Sequence, residues 1–289
     1  MTTDAFQRNA DNFCYRHPDR QSFVLCQRCL RTICPECQTQ APVGVICPEC
    51  LAEQRRAASP AQRKAQRRWS RPRARSTDSR PLVTYGIIAV TAFVYLLQLI
   101  PGLGVENYLA FNSAFLLPGS GIPVEPWRLL TVLLVHGGFL HLALNMLAVF
   151  MIGQSLEPLL GRWRYLALYL ISGLAGSVGV ALIAPGTWVV GASGAVFGML
   201  GALLVIGRHI GANIRGIVIV LAINLVIGFL PGFTVAWQAH VGGLLGGALV
   251  GFIYARTREL RRRNLQIALL AAVTVGLLAL LVIPAVFYV

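Results

Sequence analysis

Charge is scarce in this chain of 289 residues, of which only 12% are Asp, Glu, Lys or Arg; a soluble domain carries about a quarter. Lysine is almost missing, with Lys64 standing alone among the 25 Lys and Arg. Cysteine is absent from everything beyond Cys50. The low charge and the 56% apolar content together exclude a single water-soluble globule. They also exclude disorder for the carboxy-terminal two-thirds. The missing cysteine confines any thiol chemistry to the amino-terminal end. The charge that is there sits unevenly. The formal net charge is +14, and residues 55–80 hold ten of the basic residues against one acid, Asp78. From Pro81 onward there are ten Arg and four acids. The excess belongs to a segment rather than a surface. The composition is that of a membrane protein with a small polar head.

All seven cysteines fall in residues 14–50, in pairs: Cys14-x2-His17, Cys26-x2-Cys29, Cys34-x2-Cys37 and Cys47-x2-Cys50. Eight ligands are enough for two tetrahedral zinc sites, and zinc–thiolate bonding folds domains too small to own a core. Pro35 and Pro48 follow the first Cys of their pairs and suit such turns. A disulfide scaffold is the competing reading. The odd cysteine count, His17 in place of an eighth cysteine, and the lack of a cleavable signal peptide argue against it. Spacing alone leaves the pairing between the two sites open. The pattern resembles a B-box or related cross-braced treble-clef finger. That resemblance implies one site of Cys14, His17, Cys34 and Cys37 and another of Cys26, Cys29, Cys47 and Cys50. A cytoplasmic protein partner is the expected role for the finger. Nucleic acid is not expected, because the finger is close to neutral.

Apolar stretches near 82–100, 138–156, 164–183, 191–207, 215–230, 236–255 and 266–287 read as seven spans. Residues 129–135 are also apolar, but Gly137-Gly138 interrupts them, and they are assigned to the preceding loop. Arg then sets the orientation, since basic residues stay cytoplasmic. The run 55–80 precedes span 1; Arg162 and Arg164, Arg208 and Arg215, and the five Arg from Arg256 to Arg263 occupy alternate connections. The opposite connections hold only Arg128. The expectation is a multi-pass plasma-membrane protein with its amino terminus inside and its carboxy terminus outside. The Arg run serves as a topology anchor that contacts anionic lipid.

Polar groups inside spans are costly and mark function. Here they are His141, Asn145, Ser193, Asn224, Gln238 and His240, with His136 at an edge and Glu157 at a span end. His141, Asn145, Ser193 and His240 share one depth near the outer leaflet, on three helices. Ser193 lies near a helix start, where backbone N–H groups face developing negative charge. Gly-rich faces follow both Ser193 and His240 and allow close packing. A Ser beside a His is an activatable nucleophile, and no span-core acid makes it a triad. Asn224 has no partner at matched depth and is read as structural.

These residues carry a resemblance to a known family. Trp127-Arg128, His136-x4-His141-x3-Asn145, Gly153-x3-Glu157-x3-Gly161, Gly191-Ala192-Ser193-Gly194 and Ala239-His240-x2-Gly243-x3-Gly247 resemble, in order, the motifs of the rhomboid intramembrane serine proteases. The resemblance covers 82–289 and implies the bacterial six-plus-one form. The fold class expected is an all-α polytopic membrane protein, a rhomboid-like bundle of seven transmembrane helices behind a small zinc-stabilised domain. Its division is a double-zinc domain at 1–54, an Arg-rich flexible linker at 55–80, a six-helix core at 81–256, and a linker with the added helix at 257–289.

By the same resemblance Ser193 is the nucleophile and His240 the general base and acid. His141, Asn145 and the Ser193 N–H form the oxyanion hole. Trp127 and Arg128 shape the first outer loop, Glu157 braces the inner end of span 2, and His136 supports the loop. Gly191, Gly194, Gly243 and Gly247 provide close approach, and Phe197, where some members have Tyr, keeps a ring against His240. Two structural Zn(2+) are implied and none for catalysis. The substrates implied are single-span transmembrane proteins cut near the outer face, in contact with membrane lipid. The alternatives are a catalytically silent relative that binds transmembrane clients, and a transporter, which lacks a polar stripe reaching the inner side.

Overall fold

The structure is a computed structural model that describes residues 10–41, 44–57, 80–116, 121–227 and 236–287. The described residues form two compact units: one comprises 10–57 with 207–216, and the other holds the remaining helical residues. The body of the Arg-rich linker expected at 55–80 lies outside the described residues, as do the end of the fifth expected span and the connection 231–235.

The amino-terminal unit has little regular structure to hold it. Strand β1 (Phe13–Cys14) pairs antiparallel with β2 (His17–Gln21), and β3 (Thr39–Gln40) with β4 (Val45–Ile46). Helix α1 (Pro48–Ala57) closes the unit. Its buried cluster is Ile33 and six of the seven cysteines, with only a few half-buried apolar side chains around them. Such a core is too small to offset chain entropy unaided, which is why the cysteines must do more than pack.

The second unit is helical. Its long elements are α2 (Leu82–Gln98), α5 (Phe139–Leu160), α6 (Arg162–Ile183), α7 (Ser193–Ile210), α8 (Arg215–Ile227), α9 (Trp237–Arg256) and α10 (Arg263–Leu280), with the short helices α3 (Val105–Leu109), α4 (Arg128–Thr131) and α11 (Val282–Phe287). Helices α5, α6, α7, α9 and the stretch 263–284 are each long and apolar enough to cross a membrane; α2 and α8 are apolar but shorter. Helix α6 is the most enclosed of the five and α10 the least.

Close backbone approach decides how α6, α7 and α9 pack. A Cβ on Gly179 would come 2.7 Å from the Gln238 carbonyl oxygen, and one on Gly251 2.7 Å from the Ala202 Cα. At Gly243 and Gly247 it would overlap the carbonyls of Gly194 and Gly198. Without a hydrophobic drive between helices in lipid, such small-residue faces bring backbones together.

Several boundaries differ from the expected spans. The second span does not stop near 156: α5 runs through Pro158 to Leu160 and ends at Gly161, whose φ of 86° breaks it and starts α6. Glu157 therefore lies within the helix. Helix α7 begins at Ser193 rather than 191, because Gly191 at φ 115° is not helical. The last span starts earlier, at Arg263, and turns at Leu281 before α11. Residues 129–135 form α4 and a 3-10 turn in the loop, with Leu129, Val132 and Leu133 buried.

Candidate active site and metal centres

Two groups of potential ligands assemble in the amino-terminal unit, Cys14, His17, Cys34 and Cys37 in one and Cys26, Cys29, Cys47 and Cys50 in the other. These are the groupings a cross-braced finger implies. His17 Nδ1 faces Cys34 Sγ at 3.3 Å, Cys37 Sγ at 3.4 Å and Cys14 Sγ at 3.8 Å. Cys29 Sγ and Cys47 Sγ are 3.8 Å apart. A tetrahedron with metal–sulfur bonds of about 2.3 Å has edges of about 3.8 Å, so the donors fit a metal ion of zinc's size. Burial opposes the Cys14 thiolate, yet backbone N–H groups of Cys34 and Arg16 and the His17 side chain bring it down to about 6. Cys29 also falls to about 6: burial works against its thiolate, and hydrogen bonds from the Arg31 side chain and backbone, with those of Cys50 and Cys26, together bring it down. Burial and then the neighbouring Cys14 and Cys34 push Cys37 up to about 11. Thiols crowded this way resist joint ionisation until a divalent cation neutralises them.

The second site is built at one end of the helical unit. Gln98, the last residue of α2, brackets the His136 backbone: His136 N donates to Gln98 Oε1 at 3.0 Å, and Gln98 Nε2 donates to His136 O at 3.2 Å. The His136 ring is buried, accepts from Ala192 N at 3.4 Å through Nε2, and meets the His141 ring edge-on at 5.1 Å. Gly191 N donates to Val132 O. Both residues before Ser193 are thus tied to the loop that leads into α5.

His141 is the third residue of α5, Ser193 the first of α7 and His240 the fourth of α9. Three first turns converge. The His141 ring lies so close over Gly191 that a Cβ there would come 2.6 Å from Cε1, and the positive φ demands glycine independently. Asn145 sits one turn below His141 and donates through Nδ2 to the His141 carbonyl at 2.9 Å; an amide nitrogen carries two hydrogens, so one donor remains. Gly194, after Ser193, packs its backbone against the Ala239 carbonyl and Gly243, on either side of His240. The His240 ring is buried and stacked on Phe197 with centroids 4.0 Å apart and planes 11° apart. Its Nδ1 is buried with no hydrogen-bond partner among the described residues. Among the described residues no hydrogen bond joins Ser193 to His240.

The outer residues fall into place around this centre. Arg128 is buried, and its guanidinium donates to Ala110 O and Asn107 O at 2.7 Å each and pairs with Glu125. It also lies 4.0 Å from the centre of the Phe115 ring. One side chain thereby pins α3 and the following turn. Trp127 is half exposed and donates to Tyr108 O at 3.4 Å. Glu157 is far from the three first turns, where its carboxylate receives Val83 N, Thr84 N and Thr84 Oγ1 at 2.9, 2.8 and 2.8 Å. Gly247 closes against Gly198. Asn224 bonds its own helix at Val220 O.

The Rhomboid domain model matches residues 123–257. The putative rhomboid protease YdcA of Bacillus subtilis is 34% identical over 190 residues, which are 63% of this chain and 92% of that protein. This chain belongs to the rhomboid family. Rhomboid protease GluP of the same organism is 34% identical over 216 residues, covering 70% of this chain and 41% of the relative. RHOMBOID-like protein 5 of Arabidopsis thaliana is 43% identical over 138 residues, covering 45% of this chain and 44% of the relative. The chain thus spans less than half the length of these last two. As a rhomboid with several membrane-length helices it is a multi-pass membrane protein.

Sequence reasoning missed several partners in this rhomboid. Gln98, Thr84 and Glu125 hold His136, Glu157 and Arg128 respectively. Gln98 and Thr84 both interrupt an otherwise apolar span, which is the signal that was there to find. Gln266 was passed over too, although it is buried in the last span and bonds Arg164 and Thr257.

Proposed function

We propose that this chain is an intramembrane serine endopeptidase that cuts single-span transmembrane proteins near the outer face of the membrane. The observation that carries the reading is the convergence of His141, Ser193 and His240 on facing first turns, locked by Gly194 against Ala239 and Gly243. Ser193 Oγ attacks the scissile carbonyl, and His240 takes its proton as the C–O bond forms. The tetrahedral oxyanion is held by the Ser193 N–H at the start of α7, His141 and the remaining Asn145 hydrogen; each such donor contributes about 3 kcal/mol of barrier lowering. His240 then gives the proton to the leaving amine, and water activated by the same ring releases the acyl group. With no acid on Nδ1 among the described residues, the Phe197 stack is what orients the imidazole.

The remaining assignments belong to the same proposal. The two thiolate-rich clusters hold structural zinc, which takes no part in the cleavage. The amino terminus with its finger lies in the cytoplasm and the carboxy terminus outside, as the alternation of Arg-bearing connections supports. The chain divides into a zinc domain at 1–54, a linker at 55–80, a six-helix core at 81–256 and an added helix at 257–289, and the finger docks a cytoplasmic protein.

The test is cleavage of a fluorogenic transmembrane substrate by the purified full chain. Ser193→Ala and His240→Ala should each lower the rate by on the order of a thousandfold or more while helical content and monodispersity persist. Undiminished cleavage by the Ser193→Ala protein overturns the dyad. A wild-type chain that binds the substrate without cutting it supports the silent client-binding reading instead.

A further inference from the structure

Helices α6 and α10 start at the same place in the helical unit. Arg164, third in α6, donates through Nε to Gln266 Oε1, fourth in α10, at 2.5 Å. Gln266 Nε2 donates in turn to Thr257 Oγ1 at 2.7 Å, just past the end of α9, and Tyr254 OH donates to the Arg164 carbonyl at 2.9 Å. Gln266 and Thr257 are both buried. The first turns of the two helices are therefore held side by side by a buried polar clamp, and neither helix start has a side-chain cap.

Around this clamp the charge is one-sided. Residues 256–263 hold five Arg and one acid, Glu259, and Arg162 and Arg164 add two more cations. Glu259 reaches Arg261 at 2.7 Å and Arg262 at 3.6 Å, so its carboxylate is shared between guanidinium groups. The Arg261 side chain remains 79% exposed. Glu157 is committed to the start of α2. Beside the cations the surface turns apolar at once: Trp163 is 83% exposed, and Leu265 and Ile267 about half exposed.

We infer that this rim is a binding site for the headgroup of an anionic phospholipid. Arg162, Arg261, Arg262 and Arg263 take the phosphate charge, Trp163 lies at headgroup level, and the exposed apolar side of α10 receives the acyl chains. A topology signal needs only the number of Arg on a connection. It does not need the start of α6, which carries Arg162, to be fastened by Gln266 to the start of α10, which carries Arg263. The adjoining apolar surface favours a lipid over a free phosphate ion. The inference is independent of the catalytic reading.

The experiment uses the purified, delipidated full chain in neutral detergent, with phosphatidylglycerol, phosphatidylcholine or inorganic phosphate added. Lipid retention is read by native mass spectrometry and stabilisation by thermal unfolding. Phosphatidylglycerol should be retained and raise the unfolding temperature, with affinity falling roughly fivefold for each Arg removed in an Arg261→Gln, Arg262→Gln, Arg263→Gln series. The control pair Arg208→Gln and Arg215→Gln, on another basic connection, should bind as wild type does. Equal binding of phosphatidylcholine, an unaffected triple variant, an equal loss in the control pair, or full stabilisation by inorganic phosphate alone would each overturn the site.

Discussion

On the proposed mechanism His240 has to be held in a productive orientation, and among the described residues no carboxylate stands behind it. The stack on Phe197 does this by covering one face of the imidazole, and burial keeps the ring from turning towards water. On the other side of the centre, Gly191 leaves room for the His141 ring, while His136 steadies the peptide just before Ser193. Aromatic pairing is worth about 0.5–1.5 kcal/mol beyond area burial. Phe197→Ala should therefore lower kcat roughly tenfold with KM little changed, and Phe197→Tyr should keep most of the rate. The check is steady-state cleavage of a transmembrane substrate by the three proteins; equal kcat in all of them means the stack does not orient the base. The motif residues themselves were legible, because Ser, His and Asn are conspicuous in apolar spans. Gln98 was not picked out: it interrupts an apolar span, but a single Gln at a span end does not name its partner, which is His136, 38 positions later.

At the level of elements, the start of α2 is the clearest case of one helix completing another. Its first backbone N–H groups have no partner within the helix, and Glu157 of α5 supplies one as an anion at the positive end of the helix dipole. Thr84 adds its hydroxyl to the same carboxylate. Hydrogen bonds to a charged group contribute about 1.5–3 kcal/mol each. Glu157→Gln keeps the shape, removes the charge and turns an amide donor towards other donors. It should lower the unfolding temperature in detergent by several degrees, with a smaller drop for Thr84→Ala. An unchanged melting curve for Glu157→Gln would mean that water serves α2 equally well. The sequence marked Glu157 as a brace at a span end, but its target lies 73 and 74 positions earlier, a separation no local pattern encodes.

For the whole molecule, two kinds of stability operate in one chain. The amino-terminal unit has almost no core besides its cysteines, whereas the helical unit rests on interlocked backbones and buried polar ties. Chelation should therefore separate them. Stripping the metal from the purified chain should release two zinc ions per chain, make residues 10–57 protease-sensitive and leave cleavage of a transmembrane substrate intact, as read by metal analysis, limited proteolysis and activity together. Loss of cleavage on chelation would show that the finger supports the catalytic centre.

The sequence alone determined the number and approximate place of the apolar stretches, the paired cysteine and histidine positions and the motif residues. Each of these is written in composition or short spacing, and the bilayer enforces the first by demanding continuous apolar helices. Only the tertiary structure decided which helix faces meet. Lipid is as apolar as a helix interface, so hydropathy does not distinguish a buried face from a lipid-facing one. The backbone approach of α6, α7 and α9, and the ties from Gln98 to His136, Thr84 to Glu157 and Gln266 to Arg164, join residues far apart in the chain. They exist only once the helices have chosen their neighbours.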